Sequence, residues 1–165
     1  MASRPVRATT PNVNANPHPL KILRDFDSEP VARRLRHRIE QRAYEIYQQG
    51  GSQPGGELRN WLSAERDVLK RLNQVRESGP WVVVNLELQH TPPDGITILM
   101  ENRRAIIAIE EPQIARRRGV PEGDSSVSYF CAEWPGVIDP ASASAYVKSG
   151  VLTLEAKKAM GTSSA

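Results

Sequence analysis

The sequence predicts an α+β protein in which an N-terminal antiparallel helical hairpin precedes an antiparallel β-sandwich. Three observations lead to this prediction. Apolar residues recur every three or four positions over residues 28–78, as they do on the buried face of a helix. From Trp81 onward the apolar residues form short β-branched runs, which are typical of strands. Turn-forming Gly and Pro residues separate these runs, and this spacing favours a sandwich.

The size and composition fit a globular unit with attached segments. The chain has 165 residues, of which 39% are hydrophobic and 25% charged. Residues 28–78 hold ten basic and seven acidic side chains, whereas residues 79–165 hold eight and ten. No apolar run is long enough for a membrane span, and the N-terminus lacks a signal-peptide core. A single cysteine, Cys131, excludes an intramolecular disulfide, so we expect a cytoplasmic protein.

Residues 1–27 are predicted to be a disordered tail. They are rich in Pro, Asn and Thr and contain few large apolar side chains, so they bury too little surface to offset the entropy of ordering. An apolar cluster at the end of the tail has two interpretations, a segment that docks on the following helices or a binding site for partner proteins. Its members are Leu20, Ile22, Leu23 and Phe26.

The helical hairpin is predicted over residues 28–78. Ser28 is a favourable cap for the first helix, which the Gly50–Gly51 pair ends. A second amphipathic helix is predicted to begin near Glu57 and to continue through Val75. Two such helices joined by a short Gly-rich loop are typical of an antiparallel pair.

The sandwich is predicted over residues 80–158, and residues 159–165 are expected to form a flexible C-terminus. Residues 110–126 are expected to form a long polar loop, and residues 135–144 a connection. The predicted strand segments are 81–89, 96–110 with a polar turn inside it, 127–134, and a closing strand pair within 145–158.

The residue pattern predicts neither enzyme activity nor a cofactor or metal. The three histidines, His18, His37 and His90, have no partners at metal-ligand spacing. Cys131 lies in an apolar strand, where cysteine packs as a small hydrophobe. The loop GGSQPGG lacks the Lys-Ser/Thr pair of a phosphate-binding loop and joins two helices.

Two basic runs, Arg33–Arg38 and Arg116–Arg118, each have two interpretations. The first is a solvated surface, and the second is electrostatic contact with an acidic protein, RNA or a membrane surface. The basic residues are not interleaved with aromatic side chains, which disfavours nucleic-acid binding.

The segment AYVKSGVLTLEAKK resembles the end of the small heat-shock protein (α-crystallin) domain. That family shows an alanine, a short polar run, Gly-Val-Leu, an apolar strand and a closing basic residue. The upstream aromatic strand, which ends in a hydrophobe and a proline, also fits. The matching positions are Trp134, Pro135, Ala145, Gly150, Val151, Leu152, Leu154 and Lys157.

The resemblance covers about residues 80–158 and implies an immunoglobulin-like, α-crystallin-like sandwich, with a related co-chaperone sandwich as the alternative. Two features depart from the family. The C-terminal AMGTSSA lacks the Ile/Val-x-Ile/Val anchor through which members assemble. The loop 110–126 has few strand-forming residues, so a dimer-forming strand is not expected there.

The hairpin resembles a short bacterial helical domain of unknown function. The resemblance implies no activity. We expect Tyr44, Trp61 and Glu65 to hold the two helices together. The matching positions are Arg42, Ala43, Tyr44, Glu45, Trp61, Leu62, Ala64 and Glu65.

The α-crystallin resemblance implies an ATP-independent chaperone that binds partly unfolded proteins through exposed apolar surface. The expected binding surfaces are the tail cluster, from Leu20 to Phe26, and the sandwich edge at Val151, Leu152 and Leu154. The alternative is an adaptor that binds one specific protein partner through the hairpin or the sandwich edge. A homodimer stays open, and no membrane partner is expected.

Overall fold

The fold is that of a computed structural model, which describes residues 18–24, 28–88, 91–110 and 127–159. Helices α1 (Glu29–Gln49) and α2 (Glu57–Val68) form an antiparallel pair joined by a short loop. The strands are β1 (His18–Pro19), β2 (Lys21–Leu23), β3 (Leu69–Arg71), β4 (Val75–Ser78), β5 (Trp81–Glu87), β6 (Ile96–Met100), β7 (Arg104–Glu110), β8 (Val127–Glu133), β9 (Ile138–Lys148) and β10 (Val151–Lys158). A short 3-10 turn, Pro93–Gly95, precedes β6.

The described strands form two five-stranded sheets. Sheet 1 has the order β1-β9-β10-β5-β4, and sheet 2 has the order β2-β6-β7-β8-β3. Strand pairing is antiparallel except at the two edges of sheet 2, where β2 runs parallel to β6 and β3 runs parallel to β8. The predicted α+β class, with two helices and a largely antiparallel sandwich, is therefore confirmed.

The first hydrophobic core lies between the two sheets. On β5, Val82 and Val84 point inward and are buried, while Asn85 and Glu87 point outward, as the two-residue period of a strand requires. Each large apolar side chain buried here contributes about 1.5–3 kcal/mol to folding. Its fully buried large members are Val82, Val84, Ile96, Ile98, Ile107, Ile138, Leu152 and Leu154.

A second core lies between the outer face of sheet 2 and the helices. Val31, Leu35 and Ile39 of α1 and Ala64 of α2 pack there. Because both faces of sheet 2 are covered, residues 105–109 of β7 are all buried. A strand covered on both faces is continuously apolar and not alternating, which explains the run Ala-Ile-Ile-Ala-Ile.

The second helix is shorter than predicted. It ends at Val68, and Leu69 is instead the first residue of β3 and is buried in the second core. Leu72 and Val75, which the periodicity placed on the helix, pack against the first core. A continued helix would keep these three side chains on one face, whereas the extended chain distributes them between two cores. Tertiary packing therefore overrides the helical pattern.

The predicted connection 135–144 is largely strand. β9 begins at Ile138 and contains Pro140. The pairing of β9 with β10 shifts register between Glu155 and Lys157, so Pro140 lies beside a bulge, where the missing N–H does not break a regular ladder.

The end of the predicted tail is ordered. Residues 18–23 form β1 and β2 and pair with both sheets, so the tail expected through residue 27 includes paired strands. Phe26, His90, residues 111–126 with Arg116–Arg118, and residues 160–165 lie outside the described residues.

Candidate functional site

Residues 18–24, here called the N-terminal strap, close one side of the sandwich. β1 pairs with β9 of sheet 1, and β2 pairs with β6 of sheet 2. Leu20 and Ile22 are half-buried against the first core, and Leu23 is buried in the second core. Lys21 between them is exposed. The strap is thus an extended segment that presents alternate side chains to the core.

The last residue of the strap, Arg24, binds the backbone of β9. Its Nε donates to the carbonyl oxygen of Pro140 at 2.8 Å, and its Nη2 donates to that of Ala143 at 3.2 Å. The neighbouring N–H of Ala141 donates to Oδ1 of Asp139 at 3.0 Å. Pro140 has no N–H. Side chains therefore satisfy backbone hydrogen-bonding groups in this part of the outer edge of β9. These contacts protect the edge from pairing with another strand.

The opposite side of the sandwich is closed in the same way by residues 69–78, here called the central strap. β3 pairs with β8 of sheet 2, and β4 pairs with β5 of sheet 1. Leu72 and Val75 are half-buried against the first core, and the N–H of Leu72 donates to the carbonyl oxygen of Cys131 at 2.8 Å. Glu77 forms an ion pair with Lys158 of β10. Each strap therefore switches from one sheet to the other.

The predicted binding edge at Val151, Leu152 and Leu154 is not an edge. β10 lies between β9 and β5, so it is paired on both sides. Leu152 and Leu154 are 0% exposed in the first core, and only Val151 is half-buried on the outer face of sheet 1. Alternation along the strand explains the outcome, because Leu152 and Leu154 both point inward. They build the core and offer no surface to a partner.

The Gly-Val-Leu element begins at a tight turn between β9 and β10. Lys148 pairs with Val151 across a two-residue connection, and Ser149 and Gly150 have φ angles of 51° and 76°. Positive φ at both central residues is the geometry of a type I′ hairpin turn. The glycine permits this tight turn, because a residue without a Cβ adopts a positive φ at little cost.

Arg42 and Asp67 hold the helical pair together more directly than the predicted trio. Nε and Nη2 of Arg42 lie 2.8 and 2.7 Å from Oδ2 of Asp67, and Nη1 lies 2.9 Å from Oε2 of Glu45. The side-chain hydrogen bonds to Glu45 and Asp67 raise the pKa of Arg42. Ala64 of α2 is fully buried in the second core.

The predicted trio and the sandwich motif residues have different environments. Trp61 is half-buried against the second core and Glu65 is half-buried, but Tyr44 is 61% exposed beside Tyr47. Most of the Tyr44 side chain is therefore on the surface, and its ring contact is with α1 itself. Among the sandwich motif residues, Trp134 and Ala145 are buried in the first core, and Pro135 is exposed.

The second helix carries an apolar surface that is exposed. Leu58 is 73% exposed and Leu62 is 47% exposed, one turn apart on α2. The apolar stripe of α2 is wider than the face that packs, so periodicity could not separate these two residues from Trp61 and Val68, which do contact the second core.

Arginines of the first basic run form surface ion pairs, and the Cys131 thiol is buried. Arg33 pairs with Glu29 and Arg34 with Glu110 on exposed surface, which favours the solvated-surface interpretation of the first basic run. Burial raises the pKa of the Cys131 thiol, which favours the protonated and less reactive form. Among the described residues, no group of three or more His, Cys, Asp or Glu side chains has metal-binding geometry. In the same part of the chain, no helix is long and apolar enough to cross a membrane.

Comparison with known proteins gives three findings. Residues 34–70 match a family model described as a protein of unknown function, DUF2934, which confirms the predicted resemblance of the helical region to such a domain. The match covers α2 and most of α1 and ends at the start of the central strap. No curated protein matches the sequence.

Solved structures of small heat-shock proteins are similar to this chain, as the sequence resemblance predicted. Heat shock protein 16.0 from Schizosaccharomyces pombe is 17% identical, with a TM-score of 0.43 over 56% of this chain and 75% of that chain. A small heat-shock protein from Xylella fastidiosa is 18% identical, with a TM-score of 0.42 over 54% and 85%. The rat alpha crystallin domain is 20% identical, with a TM-score of 0.38 over 57% and 96%.

Proposed function

We propose that the protein is an ATP-independent chaperone that binds partly unfolded proteins at the sides of its sandwich. The observation that carries the proposal is the pair of straps. Both sides of the sandwich are closed by strands of two to four residues, and both straps place half-buried apolar side chains against the first core. The resemblance at Gly150–Leu154 supports the same function.

The physical argument concerns local stability. A short edge strand has few hydrogen bonds and few buried contacts, so it opens at a lower free-energy cost than the central strands. Opening of either strap would expose the rim of the apolar core at Leu20 and Ile22, or at Leu72 and Val75. An extended apolar segment of an unfolded protein would bind there, and binding alone withdraws it from aggregation. No catalytic step and no cofactor are involved.

The test is suppression of aggregation. The full chain is mixed with a heat-labile model enzyme, warmed without ATP, and light scattering is followed. We expect scattering to fall as the molar ratio rises and to level off near stoichiometric amounts, while an equal mass of an inert stable protein has no effect. Unchanged scattering at molar excess would show that the proposal is wrong.

A second candidate function, an adaptor for one specific protein, is favoured by the exposed pair Leu58 and Leu62. Two apolar residues one helical turn apart form a surface onto which a partner helix could pack. The test compares proteins captured by the wild type with those captured by the double variant Leu58→Gln and Leu62→Gln. Gln and Leu have similar helix propensities, so the fold is preserved. If the variant fails to capture one protein that the wild type captures, the adaptor is supported. If both capture the same diverse set of proteins, the chaperone is supported.

The proposed partners are therefore unfolded proteins or one specific protein. The strand edges that the straps cover would also serve as the interface of a homodimer. Light scattering on the native full chain would detect this homodimer as a doubled mass. We place the activity in the cytoplasm, because the buried free thiol of Cys131 suits a reducing compartment.

A further inference from the structure

We propose that a cavity beside Arg38 of α1 binds an acidic segment of a partner protein. The guanidinium of Arg38 would hold a carboxylate, and Val68 and Val127 would contact an apolar side chain next to it. The site lies where the helices meet β3 and β8, away from the strap residues that cover the rim of the first core. The inference goes beyond the proposed function, because it assigns a ligand to the helical pair and does not require chaperone activity.

Arg38 is the middle one of three arginines spaced four residues apart on α1, which places them on one edge of the helix. Nη1 of Arg34 lies 3.7 Å from Oε1 of Glu110 on β7, and Nη2 of Arg42 lies 2.7 Å from Oδ2 of Asp67 on α2. Arg38 forms no hydrogen bond or ion pair with any residue that the structure describes. Like charges four residues apart destabilise a helix, so a carboxylate bound at the middle arginine would stabilise this edge.

The cavity beside Arg38 has a volume of about 540 Å³. Three basic and two acidic side chains line it: Arg38, Arg42, Lys70, Glu45 and Asp67. Arg42 engages both acidic side chains. Nζ of Lys70 lies 5.3 Å from the centroid of the Phe130 ring, and no carboxylate of a described residue pairs with it. The charges of Arg38 and Lys70 therefore stay uncompensated in the described part of the chain, which favours an anionic ligand.

The cavity also has an apolar wall. Val68, the last residue of α2, and Val127, the first residue of β8, line the cavity and are half-buried against the second core. A lone inorganic anion would leave this wall in contact with water. An extended peptide with an acidic and an apolar residue two positions apart presents both side chains to one face. A guanidinium binds a carboxylate through two parallel hydrogen bonds, so such a peptide matches both parts of the site.

The experiment measures binding of a fluorescent peptide, Gly-Glu-Ser-Val-Ser-Glu-Gly, to the full chain by anisotropy. The variant is Arg38→Ala. The matched control is Arg36→Ala, which removes the same charge from an exposed position of α1 that does not line the cavity. We expect Arg38→Ala to weaken binding at least about tenfold, because it removes charge-assisted hydrogen bonds, and the control to change it less than about twofold. Arg38→Lys should lie between wild type and Arg38→Ala, because it keeps the charge without the fork.

Equal losses in the two alanine variants would overturn the proposal, because binding would then depend on net charge alone. Two further results with the wild type would also overturn it. One is equal affinity for a peptide with Gln in place of both Glu residues, and the other is tighter binding of an RNA oligonucleotide of equal charge.

A titration of the wild type followed by amide NMR shifts needs no variant. We expect the peptide to shift the amides of Val68, Lys70 and Val127 and to leave those of Leu20 and Ile22 unchanged. Shifts confined to the strap residues would mean that the peptide binds elsewhere and that the proposed site is wrong. If the wild type fails to suppress aggregation but binds the peptide through Arg38, the proposed function fails and this site stands.

Discussion

Arg42 of α1 and Asp67 of α2 are joined by a forked contact in which Nε and Nη2 of the arginine lie 2.8 and 2.7 Å from the same carboxylate oxygen. The contact links the two helices at the level where both pack on sheet 2. Arg42 belongs to the Arg-Ala-Tyr-Glu motif and Asp67 follows the Trp-Leu-x-Ala-Glu motif. The arginine of the Arg-Ala-Tyr-Glu motif therefore joins the first helix to the second.

The first prediction tests this pair by a double-mutant cycle. Arg42→Ala and Asp67→Ala should each lower the urea midpoint, and the double variant should cost less than their sum because both singles remove the same contact. Exposed ion pairs are screened by salt, so the coupling should shrink at high ionic strength. Additive effects at every salt concentration would contradict the assigned contact. Arg33→Ala, which removes an exposed pair within α1, is the matched control.

The second prediction separates core from surface on β10. Leu154→Ala should lower the free energy of unfolding by about 2–5 kcal/mol, because it leaves a cavity in the first core. Val151→Thr, at a half-buried position on the outer face of sheet 1, should change it by less than about 1 kcal/mol. Urea unfolding followed by circular dichroism measures both values. Equal costs would contradict the placement of Leu154 in the core and of Val151 on the outer face.

The third prediction concerns the turn between β9 and β10. Ser149 has a φ of 51°, and Asn tolerates this left-handed conformation better than Ser. Ser149→Asn should therefore stabilise the protein by up to about 1 kcal/mol. Gly150→Ala should destabilise it by about 1 kcal/mol, because φ is 76° there. An added Cβ would lie 3.7 Å from the carbonyl oxygen of Leu88, an ordinary contact, so backbone strain and not a clash is the cause. Thermal melts of both variants should shift in opposite directions.

The fourth prediction concerns Cys131. Its thiol has a pKa raised by burial, so the neutral form is the one that folding favours. The stability contributed by the protonated thiol is present below the unfolded-state pKa of about 8.5 and is lost as pH rises through the higher folded-state value. We expect a thiol reagent to modify the native protein slowly at neutral pH and the urea-unfolded protein rapidly. Fast modification of the native protein would contradict the burial of this strand.

The fifth prediction concerns the exposed apolar pair of α2. Leu58→Gln and Leu62→Gln should each change the free energy of unfolding by no more than about 0.5 kcal/mol, because neither side chain is buried and helix propensity is matched. Trp61→Ala, at a half-buried position that contacts the second core, is the contrasting control and should destabilise the protein by about 2 kcal/mol or more. Differential scanning calorimetry measures all three. A large loss at Leu58 would mean that it is covered.

The sequence determined those features that depend on local chemistry and on regular periods. The alternation in β5, the paired apolar runs of β6 and β7, and the Gly150 turn followed from two-residue alternation and turn preference. The stripe of α1 followed from its helical period. The small heat-shock resemblance depended on the Gly-Val-Leu element, which lies in a turn and strand whose geometry is set by neighbouring residues.

Only the tertiary structure decided that the two straps form edge strands. Residues 18–24 have a tail-like sequence context and residues 69–75 have a helical pattern, yet both become edge strands because the open sides of the sandwich offer unpaired backbone and an apolar rim. The same reason moved the proposed binding site from Leu152 and Leu154, which face inward on a central strand, to the strap residues. No local pattern records a partner strand that lies more than a hundred positions away, as Pro140 and Ala143 do from Arg24. Burial of apolar surface, together with satisfaction of backbone carbonyls, decided these placements.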